Sequence, residues 1–455
     1  MRFWVVLAAF LLLAAPGLKA QDLATIVGTL TDSSGAALPD AQITVSNSDK
    51  GFTRVVSSDS TGSYSVIRIP LGRYSISVEK AGFQNEVRTD VKLDVGQTLR
   101  VDIQLKVGSV SDKVEVSANA VAVETETGAI SYVVTSAQVS ELNLEARNFA
   151  NLATLVPGAA TLGSGFDPSS VGDLANSTIS FNGVPGNFNN WEVDGTNDVD
   201  QGSGSNSLMV FPSIDSIAEF RISTSNYSAE YPKSGGAQIE VVTKSGTKDF
   251  HGDIFEYVRN DAFDANDWFL NQADQPRNPL KRNNYGFTLG GPVFIPHHYN
   301  TERNKTFFFV SEEWRSYRQG TIVRQTVPSA LQRQGNFGEC DPSSPIYDSG
   351  VAAGCAVPVD PTTGLPFPND IVPVSATASA LLNGLIPAPN TGKNLYVASP
   401  SLPTEFREDM FKFDQNFGDK ARLFVRYTQD AYAQDFIPTL WSAAKIGRAS
   451  CRERV

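Results

Sequence analysis

Histidine and cysteine are scarce in this chain, with three of each among 455 residues. The histidines are His251, His297 and His298. Metal centres need several ligands at defined spacings, so the isolated pair after Pro296 predicts a solvated turn and no metal site. Basic residues are also few: 37 Lys and Arg against 49 Asp and Glu leave a net charge of −12, which argues against a nucleic-acid binder.

Long hydrophobic runs are absent after the N-terminus. The one extended run, Phe3–Ala15, follows Arg2 and is followed by Pro16, Gly17 and Ala20. This order predicts a cleaved signal peptide over residues 1–20, because the run is shorter than the roughly 20 residues of a spanning helix. The alternative is a membrane anchor. Since no later run reaches 18 apolar residues, a membrane-spanning domain would have to be a β-barrel.

Residues 22–105 have the pattern of a β-sandwich. Short segments such as "AQITVSN", "SYSVIRI" and "RYSISVE" alternate Val, Ile and Tyr with polar residues, and Gly, Pro, Asp and Ser interrupt them at short intervals. Period-two alternation between frequent turns is typical of antiparallel sandwiches.

Residues 130–245 combine helix and strand patterns, which predicts an α+β domain. A helix is expected where apolar residues recur at helical spacing before Pro157-Gly158. Short strands are expected around "FNGVPGNFNNWEVDG", and a short helix with two strands is expected in the stretch from Pro212 to Gly246. The apolar residues at helical spacing are Leu142, Leu144, Phe149, Leu152 and Leu155.

Tight turns are expected at two places in this domain. Asn182 and Gly183 form one candidate turn motif, and Asp194 and Gly195 form the other. Gly, Asn and Asp tolerate the positive φ that tight turns require.

Residues 246–445 alternate apolar and polar side chains over segments of about ten residues, which predicts the first strands of a transmembrane barrel. The segment 321–404, rich in Pro, Gly and Ser, is the expected long extracellular loop. Phe307, Phe309 and Trp314 are expected to face lipid or to join the aromatic girdle. The alternating outward residues are Tyr285, Phe287, Leu289, Phe411, Phe413, Leu423, Val425 and Tyr427.

The first segment also resembles a known module. The carboxypeptidase regulatory-like β-sandwich is matched over nearly all of it, which implies a binding or spacing domain and no peptidase activity. The matching residues are Gly28, Asp32, Gly35, Pro39, Ala41, Val45, Gly62, Tyr64, Pro70, Gly72, Tyr74, Val78, Gly82 and Phe83.

A second resemblance covers about Ala24 to Asp430. "FNGVPGNFNNWEVDGTND", "SIAEFRISTSNYSAEYPKSGGAQIEVVTKSGT" and "FHGDIFEYVRNDAFDANDWF" are similar to the plug and first barrel strand of TonB-dependent outer-membrane receptors, in the Oar-like branch. The resemblance implies a bacterial outer-membrane location with the N-terminal domain in the periplasm. It also implies a TonB-type energy-transducing partner in the inner membrane, contact with outer-membrane lipid, and an extracellular ligand such as a siderophore, carbohydrate or peptide.

The connector, residues 106–129, contains the candidate TonB-pairing segment. Asp112, Lys113, Val114, Glu115 and Val116 lie in "SDKVEVSA", a short β-prone piece flanked by charge. An extended peptide that adds to a sheet edge binds through its backbone, so few side chains are dictated. The alternative is an ordinary last strand of the sandwich.

No catalytic or cofactor-binding pattern is present. "LGSGFD" and "QGSGSN" place Ser between glycines but lack the strand–turn–helix context of a hydrolase. The expected protein is mainly β and non-enzymatic: a receptor that transports an extracellular ligand through a plugged barrel. The alternatives are an adhesion or export-assisting outer-membrane protein on the same scaffold, and a soluble secreted β protein. The plug loops from Gly158 to Ser177 and from Asp194 to Ser207 are the candidate ligand contacts.

The cysteines divide into two groups. Cys340 and Cys355 lie in one Pro- and Gly-rich segment of an exported chain, so a loop-closing disulfide is expected, with two unpaired thiols as the alternative. Cys451 lies in "IGRASCRERV", residues 446–455, which matches the translation of a common sequencing adaptor. The natural sequence is therefore expected to be truncated near Lys445.

Overall fold

A computed structural model of the chain describes residues 23–454 except 109–112, 118–124, 143, 145–146, 162–178, 201–207, 230, 232–234, 267, 269–270, 272–276, 321–322, 354, 399–400, 420 and 437–446. The predicted signal peptide therefore lies outside the described residues. No helix in the described part of the chain is long and apolar enough to span a membrane.

The first strands pack as two sheets, as the period-two pattern predicted. One sheet has the order β4-β1-β7, with β8 also paired to β1, and the other has the order β3-β2-β5-β6-β9. Alternate residues such as Ile26, Leu30, Ile43 and Ile76 are fully buried between the sheets. The strands are β1 Ala24–Asp32, β2 Gln42–Asn47, β3 Phe52–Ser57, β4 Ser63–Ile69, β5 Gly72–Glu79, β6 Asn85–Leu93, β7 Thr98–Arg100, β8 Ile103–Leu105 and β9 Lys113–Ser117.

The α+β domain is built on one five-stranded sheet of order β10-β15-β16-β13-β14. Its elements are β10 Ile130–Thr135, α1 Ser136–Glu141, a 3-10 helix Phe149–Leu155, β11 Ala159–Thr161, β12 Ile179–Phe181, a 3-10 helix Gly186–Phe188, β13 Asn190–Val193, β14 Thr196–Asn197, a 3-10 helix Ile214–Ser216, β15 Ile217–Ser225 and β16 Gln238–Thr243.

Four aromatic rings fill the centre of this domain. Phe149 lies 5.3 Å from Phe211, 6.0 Å from Trp191 and 6.4 Å from Phe220 between ring centroids, all in edge-on geometry. All four side chains are at most 1% exposed. Such pairs add stabilisation beyond their buried area, so these rings fix the 3-10 helix against the sheet.

The single helix expected before Pro157 does not form. Helix α1 ends at Glu141, Leu142 is already extended, and a separate 3-10 helix begins at Phe149. Thr135 and Gln138 form a capping box that starts α1. Arg147 has a φ of 53°, which a continuous α-helix does not allow. Leu142 and Leu144 lie outside both helices.

The remaining strands form one antiparallel sheet of order β17-β18-β19-β22-β23-β24. Its long connection between β19 and β22 has a separate two-stranded sheet, β20-β21. The elements are β17 His251–Asn260, a 3-10 helix Asp261–Phe263, β18 Leu280–Pro292, β19 Thr306–Gly320, β20 Val323–Thr326, a 3-10 helix Gln332–Gln334, α2 Ser349–Ala352, a 3-10 helix Pro368–Asp370, α3 Ala376–Leu385, β21 Leu395–Ala398, β22 Ser401–Phe417, β23 Ala421–Phe436 and β24 Gly447–Arg454.

Strand β24 lies within the suspected adaptor sequence. It pairs antiparallel with β23, from Gln429↔Arg454 to Phe436↔Gly447. Backbone pairing requires no particular side chains, so this contact does not test where the segment comes from. The adaptor origin stays a prediction.

The two faces of this sheet differ as a barrel wall requires. Tyr285, Leu289, Phe411 and Tyr427 are each between 43% and 46% exposed on the outer face, as the alternation predicted. The opposite face carries polar residues and packs on the α+β domain, which lies where the lumen of a barrel would be. We call that domain the plug.

The expected orientation of two phenylalanines is wrong. Phe307 and Phe309 are 2% and 0% exposed. Phe309 is the register partner of Lys412, whose ammonium contacts the plug, so both lie on the inner face. Trp314 has the opposite phase and stacks on Tyr285, 5.5 Å between ring centroids, on the outer face.

The sandwich lies at the end of the sheet that has the short connections. Residues 293–305 and 418–420 join strands there, whereas 261–279 and 321–400 join them at the other end. Short turns are periplasmic in outer-membrane barrels. The sandwich loop contacts this end through Asp49, whose Oδ1 lies 3.0 Å from Lys248 Nζ, and through Lys50 O, which accepts from Asn416 Nδ2 at 2.9 Å.

Gly51 allows this close contact. Its φ is 58°, and a Cβ there would lie 2.1 Å from Asn304 O. We therefore expect Gly51→Ala to lift the sandwich loop from the barrel turn. The expected readout is a loss of zero-length carbodiimide crosslinking between Asp49 and Lys248.

The matched control is Gly35→Ala. Gly35 also has a positive φ, 88°, but a Cβ there meets nothing within 4 Å. An equal loss of crosslink in both variants would mean that backbone strain in the sandwich, and not the contact with Asn304, is responsible.

Candidate functional site

A row of carboxylates crosses the inner face of the barrel sheet opposite the plug. Phe255, Gly286, Glu313, Glu408 and Asp430 are register partners on five successive strands. The three acidic side chains are at most 3% exposed. Buried carboxylates need partners, so this row demands cations and hydrogen-bond donors from the plug side.

The plug supplies several of those donors. Arg147 forms an ion pair with Asp215 of the plug, and its Nε lies 3.5 Å from Glu313 Oε1. Ser213 Oγ donates to Glu313 Oε2, and the Phe211 backbone N–H donates to Asp430 Oδ2 at 2.6 Å. The plug therefore contacts two barrel strands through one short segment.

Barrel side chains complete the surroundings of Arg147. Its guanidinium carbon lies 4.1 Å from the ring centroid of Tyr257 and 4.9 Å from that of Phe255. On the barrel side, Arg315 Nε donates to Glu313 Oε1 at 2.8 Å. Two guanidinium groups thus lie beside one fully buried carboxylate.

Asp194 forms a second connection between plug and barrel. Its Oδ1 accepts from Thr243 N at 2.9 Å and lies 3.2 Å from Lys412 Nζ. Its Oδ2 accepts from Thr243 Oγ1 at 2.6 Å and lies 3.2 Å from Arg426 Nη1. Burial alone would raise the pKa of Asp194, but the charges of Lys412 and Arg426, with the bonds from Thr243, hold that pKa below its usual range.

The four residues of the predicted turn motif all have positive φ: Asn182 52°, Gly183 83°, Asp194 48° and Gly195 77°. The structure does not bring the two turns into one site, because only Asp194 contacts the barrel among the described interactions. The sequence showed Asp194 as a turn residue; its role as a carboxylate shared with Lys412 and Arg426 depends on residues more than 200 positions away.

The candidate TonB-pairing residues lie at the edge of the sandwich. Lys113 to Val116 belong to β9, which pairs in parallel with β6, from Asn85↔Lys113 to Thr89↔Ser117. Val114, Glu115 and Val116 are exposed. Asp112 lies outside the described residues. This is the geometry of the alternative interpretation, a last strand of the sandwich.

Other predicted residues are placed as follows. Cys340 and Cys355 form a disulfide, with 5.9 Å between their Cα atoms, inside the long connection between β19 and β22. The candidate ligand loops fall largely in residues 162–178 and 201–207, which lie outside the described residues. A cavity of about 490 Å³ between α1 and the barrel wall is lined by Arg147, Tyr257 and Arg282, among others.

The sandwich and the plug share one further contact. The backbone of Val95 donates its N–H to Glu219 Oε2 at 2.9 Å, and its carbonyl accepts from Arg221 Nη1 at 2.7 Å. Burial, and then the charge of nearby Asp94, raises the pKa of Glu219 from 4.5 to about 7. Protonation of Glu219 relieves its burial cost and its repulsion from Asp94, whereas the hydrogen bond from the Val95 N–H favours the ionised form.

We expect Asp194→Asn to loosen the plug. Lys412 and Arg426 would keep their charges at 6% and 8% side-chain exposure with no carboxylate between them. Breaking a buried ion pair on one side costs about 3–5 kcal/mol. The urea concentration at which a protease begins to cut the plug should fall, and the exposed inner-face variant Asp253→Asn should not lower it. An unchanged midpoint for Asp194→Asn would show that the ion pairs do not hold the plug.

The Glu219 contact should weaken as the pH rises. Docking brings Asp94 beside Glu219 and buries its carboxyl group, and burial and then the charge of Asp94 raise its pKa to about 7. Docking is therefore favoured while Glu219 is protonated and weakens as the pH rises through about 7. Hydrogen exchange of the Val95 amide, corrected for intrinsic rate, should accelerate between pH 5 and pH 8. Glu219→Gln should abolish the pH dependence; if the dependence persists, another group causes it.

Two domain families match the chain. A model of the outer membrane β-barrel domain matches residues 242–449, and a model of the carboxypeptidase regulatory-like domain matches residues 25–106. These ranges coincide with the barrel sheet and with the sandwich. The chain is thus a protein of the outer membrane.

Three individual proteins are similar to parts of the chain. The TonB-dependent transporter Oar of Myxococcus xanthus is 26% identical over 318 residues, which are 67% of this chain and 28% of that protein. The outer membrane transporter YddB from Escherichia coli is 12% identical with a TM-score of 0.39, over 67% of this chain and 33% of the other. The siderophore receptor PirA from Acinetobacter baumannii is 11% identical with a TM-score of 0.32, over 71% and 43%.

The chain spans about 28% of the length of the Oar transporter that it matches. Within that span, the order of the parts is a carboxypeptidase regulatory-like sandwich, a plug and a membrane-spanning sheet. The chain thus carries an outer membrane β-barrel domain and a carboxypeptidase regulatory-like domain, and it is similar to a TonB-dependent transporter of the Oar type.

Proposed function

We propose that the protein binds an extracellular ligand and moves it through a plugged β-barrel with energy delivered by a TonB-type protein of the inner membrane. The observation that carries the proposal is the position of β9. This exposed edge strand lies at the end of the molecule with the short barrel turns, and it comes immediately before the plug in the chain.

Strand β9 is suited to capture by a partner. It is the terminal strand of its sheet, so one of its backbone edges faces no other strand of that sheet. Val114 and Val116 are 37% and 41% exposed. A periplasmic partner could add to this edge, or replace β6 as its neighbour, through main-chain hydrogen bonds.

Force on this segment would reach the plug at one of its two edge strands. The connector leads directly to β10, which is an edge strand of the plug sheet and pairs only with β15 there. Peeling an edge strand breaks one ladder, whereas removing β15 or β16 would break two. The plug could therefore open from β10 while its aromatic core stays folded.

The ligand class stays open among siderophores, carbohydrates and peptides. The cavity between α1 and the barrel wall lies on the inner face, and its lining includes Arg147, Arg259, Arg282, Tyr257 and Asn284. Guanidinium, phenol and amide groups bind carboxylates and hydroxyls alike, so they favour a polar ligand without naming one.

Adhesion or assisted export is the second function on the same scaffold. An extra sandwich domain suits adhesion only if it faces the outside, but this one lies at the opposite end of the sheet from the long connection 321–400. The long connection, with its disulfide and its own small sheet, lies at the end of the sheet where it could contact a surface, as does the connection 261–279.

Substitution of the backbone donors in β9 should abolish partner capture. We expect Glu115→Pro/Val116→Pro to lose co-purification with the periplasmic domain of TonB, and to lose energised ligand uptake, because proline cannot donate to a ladder. Deletion of 112–118 should have the same effect.

The matched control keeps the backbone and changes the side chains: Glu115→Lys/Val116→Thr. Capture through the main chain should survive it. If the proline variant still reaches the outer membrane and still accumulates ligand in a gradient-dependent manner, energised transport through β9 is wrong. Surface binding that persists without a proton gradient, with no accumulation, would favour adhesion.

A further inference from the structure

A cavity of about 400 Å³ lies where the sandwich, the plug and the barrel wall meet. Five basic side chains from two of these parts line it: Lys50, Arg54 and Arg68 from the sandwich, and Lys412 and Arg422 from the barrel. The contacts of Asp49, Lys50 and Gly51 with the barrel turns hold the sandwich side of the cavity in place. The cavity thus exists only while the three parts are docked.

Two acidic side chains line the same cavity, and both are already used. Asp194 is shared by Lys412 and Arg426, and Asp414 Oδ1 accepts from Arg422 Nη2 at 2.7 Å. Among the described residues, no carboxylate lies within ion-pair distance of Lys50, Arg54 or Arg68. The sandwich side of the cavity therefore carries uncompensated positive charge.

Hydrogen-bond donors are also left over. Arg54 Nε and Arg422 Nε are buried and have no hydrogen-bond partner in the described part of the chain. Lys50 Nζ donates to Leu71 O at 2.8 Å, which uses one of its three protons. Buried donors without partners are costly, and an oxyanion offers several acceptors to guanidinium and ammonium groups at once.

We propose that this junction cavity binds a small oxyanion of the phosphate class, as a free ion or as the phosphate group of a larger molecule. Its volume corresponds to roughly a dozen waters at about 30 Å³ each, which leaves room for more than phosphate alone. The anion bridges the sandwich to the barrel, so its binding stabilises the docked arrangement by linkage. The site does not depend on transport.

The test is calorimetric titration of the full chain in detergent, at constant ionic strength, with inorganic phosphate and with glucose 6-phosphate. Loss of a charge-assisted hydrogen bond weakens binding by about tenfold or more. We therefore expect Arg54→Gln/Arg68→Gln to raise Kd by at least about tenfold for both probes. Tighter binding of glucose 6-phosphate would identify a group on a larger molecule, and tighter binding of phosphate would identify a free ion.

The control is Arg73→Gln, an arginine of the sandwich that pairs with Asp90 at 65% side-chain exposure. It should leave Kd within about twofold, since exposed ion pairs contribute little. The proposal is overturned if the wild-type chain shows no saturable heat, or if Arg73→Gln weakens binding as much as the double variant. Crosslinking between Asp49 and Lys248 shows whether each variant is still docked.

Lys50 supplies a second readout. Burial, and then the charge of Arg422, lowers the pKa of Lys50 to about 8; Lys412 acts in the same direction, whereas Asp414 and Glu219 oppose it. Sulfate, which does not titrate in this range, should bind progressively more weakly from pH 7 to pH 9. Lys50→Arg should bind sulfate with little pH dependence, because arginine stays charged. An unchanged slope in Lys50→Arg would exclude Lys50 from the site.

Discussion

The carboxylate of Asp194 is the contact on which the seating of the plug depends. It lies at a tight turn, accepts two hydrogen bonds from Thr243 on the last plug strand, and faces Lys412 and Arg426 on two barrel strands. None of these charges is tolerable alone in a buried position, so the set forms completely or not at all. The positive φ of Asp194 is then a small local strain, which its four contacts offset.

The strands of this chain were predictable because their signal is local. Alternation within seven or eight residues produced the sandwich, and alternation over about ten residues produced the barrel sheet. For one strand, β19, the sequence did not predict which residues face the plug and which face outward. Phe307, Phe308 and Phe309 are consecutive, and Glu312 and Glu313 are adjacent, so the sequence offers no polar–apolar contrast to orient β19. The plug decides the phase, because its donors require the Glu313 side of the strand.

The contacts of Arg147 with the barrel were also hard to predict, because the local sequence pattern does not show them. Arg147 lies in a stretch whose apolar residues have helical spacing. In a continuous helix its side chain would contact only residues close to it in the sequence. Instead α1 ends before Leu142 and a separate 3-10 helix begins at Phe149, and Arg147 between them lies beside a carboxylate 166 positions later in the sequence. The signal in the sequence was the one basic residue of "LEARNFANL", together with single charges on the inner face of the barrel strands.

The connector shows why a strand can have two partners. Pairing through the backbone asks little of the side chains, so "DKVEV" fits a sandwich edge and a TonB-type partner equally well. Under the proposed function, the two interpretations of this segment are successive states of one strand. Exchange of β6 for another strand replaces one ladder by another of similar length, so the net change in hydrogen bonding is small. Whether β9 stays on β6 or moves to a partner strand then depends on the sandwich. Asp49 and Lys50 hold the sandwich on the barrel, and it must stay docked when β9 leaves it.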